Sequence, residues 1–217
     1  MNELVDTIVT SARAEDAHVV GITGGIAAGK SYLAALVAKE LGWPAVSTDG
    51  FIRPDAGARK GYADSYDSSA LQRFVDGIRR EGHAAAPHYS HLHYDVVGED
   101  DVESDRIVID GLHLGHPALG IRDRIDVLVH LDAPTDTLSH WYLTRFEGLR
   151  AEAANDPTAM LYPYRDIDAD VMNGTAMQVW RDLNAVVIEE EVRPHEHDAD
   201  IVVRLGEDHA VIAIEAR

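Results

Sequence analysis

The sequence predicts an α/β protein with a mostly parallel central sheet and helices on both faces, and three observations predict it. Short apolar runs alternate along the chain with amphipathic or Ala/Leu-rich segments, the pattern of a parallel sheet with crossover helices. A glycine loop, Gly24-Gly25-Ile26-Ala27-Ala28-Gly29-Lys30-Ser31, joins the first apolar run to the first helical segment. The chain has 217 residues, enough to bury a sizeable core, and no apolar run long enough to span a bilayer.

In chain order, residues 18–23 read as the first strand and 32–41 as a helix. Residues 44–48 form a second strand ending at Asp49-Gly50, and 53–67, rich in Gly, Pro, Asp and Ser, form a mobile loop. Residues 69–81 form an amphipathic helix with Leu71, Phe74, Val75 and Ile78 on one stripe. The third and fourth strands cover 106–110 and 125–131. A long helix covers 134–154, with Pro134 well placed near its start, and Asn155-Asp156-Pro157 breaks it. Residues 168–191 form another helix, and 199–205 with 210–216 close the sheet as a strand pair around Gly206-Glu207-Asp208.

The loop at 24–31 fits G-x-x-x-x-G-K-[ST] between a strand and a helix, the context that motif requires. Its glycines let backbone N–H groups turn inward around phosphate oxygens, and the helix N-terminus adds positive dipole. Lys30 can reach the terminal phosphates and the Ser31 hydroxyl can hold Mg²⁺. The expected architecture is therefore a three-layer P-loop NTPase fold, a single domain over 1–217 with a small helical lid and substrate region at about 140–170.

Charge narrows the partners. The formal net charge is −19, from 38 acidic and 19 basic residues. This argues against nucleic acid and anionic membrane, which call for a basic face, and leaves a small-molecule substrate. An acidic chain that binds a nucleotide must concentrate its cations where phosphate sits. Its only lysines are Lys30, Lys39 and Lys60. The absence of cysteine removes disulfides, thiol catalysis and thiolate metal sites. Histidines at 88, 91 and 93, at 113 and 116, and at 195 and 197 invite a metal site, but zinc sites ask for three or four organised ligands. A cytoplasmic location is the simplest expectation, since the acidic N-terminus lacks a signal peptide's basic start and apolar centre.

None of the lysines sits in an Asn-Lys-x-Asp guanine-reading motif, so a small-molecule kinase is favoured over a switch GTPase. Kinase chemistry needs an aligned acceptor hydroxyl, an acidic group to orient or deprotonate it, Mg²⁺, and cations on the transferring phosphoryl group. Asp49 and Asp110 end strands on the edge where open α/β sheets place ligands. Asp49 is the candidate base and Asp110 a candidate Mg²⁺ holder through water. Arg145, on the long helix, is placed to reach the phosphates as a lid arginine.

Several segments resemble the bacterial type I pantothenate kinases of the uridine kinase/phosphoribulokinase group. They are Val46-Ser-Thr-Asp-Gly-Phe51, Lys60-Gly-Tyr-Ala-Asp-Ser-Tyr-Asp67, Pro87-His-Tyr-Ser-His-Leu-His-Tyr-Asp-Val96, Trp141-Tyr-Leu-Thr-Arg-Phe146 and Asp208-His-Ala-Val211. The resemblance implies transfer of the γ-phosphoryl of ATP, with Mg²⁺, to the primary hydroxyl of pantothenate, and a possible homodimer. It implies that Asp49 is the base and that Tyr89, His91 and Tyr94 contact pantothenate or stabilise its pocket. Tyr142 matches a pocket tyrosine, Arg145 a phosphate-binding arginine, and Asn184 an asparagine at the substrate's amide region. His209 matches a histidine set against adenine. The expected nucleotide site is thus Gly24, Gly25, Ile26, Ala27, Ala28, Gly29, Lys30, Ser31, Tyr32 and His209.

The chain departs from the family in three places. Ala35 stands where the family has an inhibitor-binding arginine, the loop from Phe51 to Lys60 is shorter, and Leu149, Ala154 and Leu161 replace lid aromatics. These departures imply a loss of coenzyme A inhibition, and the smaller walls imply a different or bulkier acceptor. A related kinase acting on uridine, cytidine or a sugar is the alternative reading. A nucleotide-binding regulator without turnover is the second alternative, but Lys30, Ser31, Asp49, Asp110 and Arg145 are all retained.

Overall fold

A computed structural model describes residues 1–217. Its six-stranded sheet runs β1 (Val19–Gly24), β2 (Ala45–Ser47), β5 (Ile107–Asp110), β6 (Val127–Asp132), β7 (Ile201–Leu205) and β8 (Val211–Ala216) in the spatial order β2-β5-β1-β6-β7-β8. All neighbours pair in parallel except β7 with β8. The four central strands are apolar on both faces, as a sheet covered on both sides requires.

The period of two in each strand divides the core. Val20, Ile22, Val108, Val129, Leu131 and Val203 face one side, while Val19, Ile107, Ile109, Leu128 and Val202 face the other. The first set packs against α1 (Asn2–Ala14), α2 (Lys30–Leu41) and α4 (Thr135–Ala153) through Leu4, Ile8, Leu33, Val37 and Leu138. The second packs against α3 (Ser68–Glu81), whose Leu71, Phe74, Val75 and Ile78 recur at helical spacing. Asp67 caps α3 by accepting from Ala70 N–H at 2.8 Å, and Gly82, at φ 71°, ends it in the left-handed conformation.

Four features depart from the sequence expectation. The N-terminal segment is a helix, α1, held by Leu4, Ile8, Val9 and Ala12. Residues 83–103 form a separate antiparallel hairpin, β3 (His83–Ser90) with β4 (Asp95–Glu103). The expected mobile loop at 53–67 is a series of short 3₁₀ turns closed by an Ile52–Tyr66 bridge. The helix expected at 168–191 begins as α5 (Ala169–Val179) and passes through two π-helical segments, Trp180–Asn184 and Ile188–Val192, on either side of α6 (Ala185–Val187). No helix is long and apolar enough to cross a membrane.

Candidate active site

The carboxyl ends of β1, β5 and β2 lie side by side, because Ile22 and Ser47 both pair with Asp110. The glycine loop leaves β1 there and Asp49 follows β2. At Gly24, with φ at 133°, a Cβ would lie 2.1 Å from the Leu131 carbonyl oxygen, so only glycine lets the loop pass β6. The loop turns on an Ala28 N–H to Gly25 carbonyl bond of 3.2 Å and enters α2 through Gly29 at φ 86°.

Both polar side chains at the end of the loop have partners. The Lys30 ammonium donates to the Gly25 carbonyl at 2.9 Å, and the Ser31 hydroxyl donates to Asp110 Oδ2 at 2.8 Å. Burial pulls Lys30 down to about 8, against the opposing pull of Asp110 and Asp49. Burial likewise pushes Asp110 up to about 6, although its bond from Ser31 and the charge of Lys30 favour the carboxylate. Both shifts report charges held out of water beside an open cleft.

That cleft, about 700 Å³, brings together Lys30, Ser31, Asp49, Asp110, Tyr89, His91, Tyr94, Tyr142, Arg145 and Asn184. These residues come from six separate segments of the sequence. His91 Nε2 lies 3.4 Å from Asp49 Oδ2, and the imidazole is held below its usual range by burial and then by Arg145. Tyr89 packs edge-on to His91 and Tyr94, while Tyr142 leans on Trp180 and lines the cleft with Asn184. The π segment ending at Asn184 changes the helix register there, a common device at functional sites. Tyr32 stands exposed at the outer side of α2, and His209 lies on the flank of the loop against Trp141, both outside the cleft lining.

Sequence reasoning missed Lys60. It lines the cleft, donates to the Tyr94 carbonyl at 3.1 Å and sits 3.5 Å from the centre of the Tyr94 ring. Its signal was present: it is one of three lysines in a strongly acidic chain. The turn bearing it is anchored from behind, where His113 Nε2–H donates to the Gly61 carbonyl at 2.8 Å and Glu191 accepts from Ala63 N–H at 2.7 Å. Beyond the polar residues the wall is apolar, formed by Phe146, Leu149, Leu161, Ile167 and Met172. Of the three shortened lid positions, Leu149 and Leu161 face the cleft, whereas Ala154 is exposed outside it.

None of the histidine clusters named from the sequence gathers three candidate ligand atoms. The group that does, His130 with Asp132 and Glu196, has its carboxylates neutralised already. Arg204 bonds Asp132 at 3.0 Å and Glu196 at 2.6 Å, and Arg193 bonds Asp132 at 3.2 Å.

A phosphate-loop helix, a strand-end aspartate on its serine, and an acceptor-sized cleft beside its lysine define a P-loop kinase. Comparison with known proteins agrees and narrows the class. The chain is 34% identical to the pantothenate kinase of Streptomyces coelicolor over 92% of its length, covering 69% of that protein. It is 35% identical to the pantothenate kinase of Streptomyces avermitilis over the same shares, and 30% identical to that of Allorhizobium ampelinum over 100% of this chain and 72% of the relative. No family model matches the chain. Among solved structures, the proposed fructose transport system kinase of Silicibacter sp. TM1040 superposes with a TM-score of 0.67 at 19% identity, over 87% of this chain and 95% of that one. Phosphoribulokinase from Rhodobacter spheroides gives 0.51 at 14%, over 88% and 70%. These two share the fold. The chain belongs to the pantothenate kinase family, and so is an ATP-dependent phosphotransferase.

Proposed function

We propose that the chain transfers the γ-phosphoryl of ATP to the primary hydroxyl of pantothenate, giving 4′-phosphopantothenate. The observation that carries this reading is the cleft itself: Asp49, Tyr89, His91, Tyr94, Tyr142 and Asn184 line the same space as Lys30 and Arg145. The residues fit MgATP. The loop backbone and Lys30 would hold the phosphates, and Ser31 with Asp110, 2.8 Å apart, would hold Mg²⁺, Asp110 through water. MgATP supplies the phosphoryl group and neutralises part of its charge.

The protein's own work is positioning. Asp49 accepts or orients the acceptor's hydroxyl proton, and His91 holds the Asp49 carboxylate against rotation. Lys30 and Arg145 face the charge that spreads over the transferring oxygens. Lys60 and Asn184 remain for the far end of the acceptor, which in pantothenate carries an amide and a carboxylate. The apolar wall around Leu149 and Leu161 favours a bulkier alcohol as a second substrate. The family reading also carries a cytoplasmic homodimer.

The test is ADP release from ATP and Mg²⁺ across pantothenate, pantetheine, uridine, cytidine and simple sugars. Turnover ranked with pantothenate first supports the proposal. Turnover with a nucleoside or sugar alone keeps the kinase and replaces the acceptor, and tight ATP binding with no turnover replaces the enzyme with a regulator.

A further inference from the structure

The phosphate loop contains a non-glycine residue, Ala27, in the left-handed region at φ 65°, a conformation that L-residues avoid without support. The support comes from the far end of the chain. In the turn between β7 and β8, Asp208 and His209 are themselves consecutive left-handed residues, at φ 54° and 57°. This turn lays the His209 ring on the loop. Its Nε2–H donates to the Ala27 carbonyl at 3.2 Å. One ring face is stacked on Trp141 of α4, with centroids 3.6 Å apart and planes 14° from parallel. A ring edge meets Gly29 so closely that a Cβ there would lie 3.3 Å from it.

The direction of that hydrogen bond matters. In a trans peptide the carbonyl and the following N–H point opposite ways. Holding the Ala27 carbonyl outward on His209 therefore holds the Ala28 N–H inward, where it now faces the Gly25 carbonyl at 3.2 Å. Inward N–H groups are what a phosphate-binding loop uses.

We infer that His209 is a positioning residue that latches the 27–28 peptide of the phosphate loop in its anion-binding orientation. The latch rests on reading this loop as the triphosphate site. It acts on the phosphate chain, whichever base the nucleotide carries.

Inorganic tripolyphosphate with Mg²⁺ is the probe, because it has no base, and adenosine is its counterpart, because it has no phosphate. His209→Phe keeps a flat ring for Trp141 but cannot donate. His209→Gln keeps a donor but loses the ring. A latch predicts that His209→Phe weakens tripolyphosphate binding about fivefold, the range of one hydrogen bond, and raises the KM for ATP equally. Adenosine reads any contact of His209 with the base separately from the latch, and His209→Gln stays within about twofold of wild type for tripolyphosphate. Urea midpoints establish that both variants fold. Unchanged tripolyphosphate binding in His209→Phe overturns the latch, and a raised KM for ATP beside it would assign His209 to the base. Failure of the wild type to bind tripolyphosphate overturns the triphosphate reading of the loop, and the latch with it.

Discussion

His91 Nε2 lies 3.4 Å from Asp49 Oδ2, joining the tip of the hairpin to the end of β2 across the mouth of the cleft. The hairpin has no strand in the main sheet, yet this contact ties it to the reacting end of the site. Burial and Arg145 hold His91 below its ordinary value, so at neutral pH it meets Asp49 as a neutral imidazole. Replacing it should free the carboxylate to rotate. His91→Ala is expected to lower kcat/KM for the acceptor about tenfold and leave the KM for ATP unchanged, as steady-state kinetics with each substrate varied will measure. An equal change in both KM values would detach His91 from the acceptor.

Ser31 and Asp110 are bonded at 2.8 Å at the buried end of the cleft. Asp110→Asn keeps the shape and removes the charge. The Mg²⁺ concentration for half-maximal activity should rise about tenfold or more, from the loss of one charged contact to the ion. A Mg²⁺ titration at fixed ATP that superposes on wild type would remove Asp110 from the metal's surroundings.

Leu149 lies on the apolar wall of the cleft. Enlarging it should discriminate by size, since a few atoms in an apolar pocket change kcat/KM by about ten- to a hundredfold. Leu149→Phe is expected to reduce kcat/KM for pantetheine about tenfold relative to pantothenate. Parallel kinetics on the two acceptors decide it; an unchanged ratio would place the acceptor's tail elsewhere.

Buried histidines give the fold a pH dependence. His130 is 1% exposed, has no hydrogen-bond partner on either ring nitrogen, and is held down to about 4 by burial. Because the folded value lies below the ordinary 6.5, the unfolded chain takes up the proton first. The stabilisation is complete above about pH 6.5 and is lost as pH falls toward 4. Between pH 7 and 5 this contributes about 2 kcal/mol of lost stability. His130→Leu should flatten that part of the urea-unfolding profile. A variant as pH-sensitive as wild type would assign the dependence to other groups.

The parts of the fold that were legible in the sequence are those whose chemistry is local. Val-Val-Gly-Ile-Thr, Ile-Val-Ile-Asp and Val-Leu-Val-His-Leu are strands because they are buried on both faces, and the α3 stripe follows directly from spacing. The hairpin was not legible. Only Ala86 of β3 and Val102 of β4 are buried, so neither strand carries an alternating apolar pattern, and their pairing is a property of the folded chain. The helix α1 was overlooked although Leu4, Ile8 and Ala12 already mark its face. At the site, Lys30, Ser31, Asp49 and Asp110 were readable because a loop and strand ends place them. Lys60 and Gly61 were not, since their position depends on His113 and Glu191 from distant segments.

The most direct measurement is ADP release with ATP, Mg²⁺ and pantothenate by wild type and Asp49→Asn side by side. A kinase with Asp49 at the acceptor hydroxyl gives pantothenate-dependent turnover in the wild type. The variant should show kcat lower by about 10²-fold or more, with ATP binding little changed, from the usual size of general-base effects. Near-normal kcat in Asp49→Asn would remove Asp49 from the chemistry, and wild-type ADP release indifferent to pantothenate would contradict the proposed reaction itself.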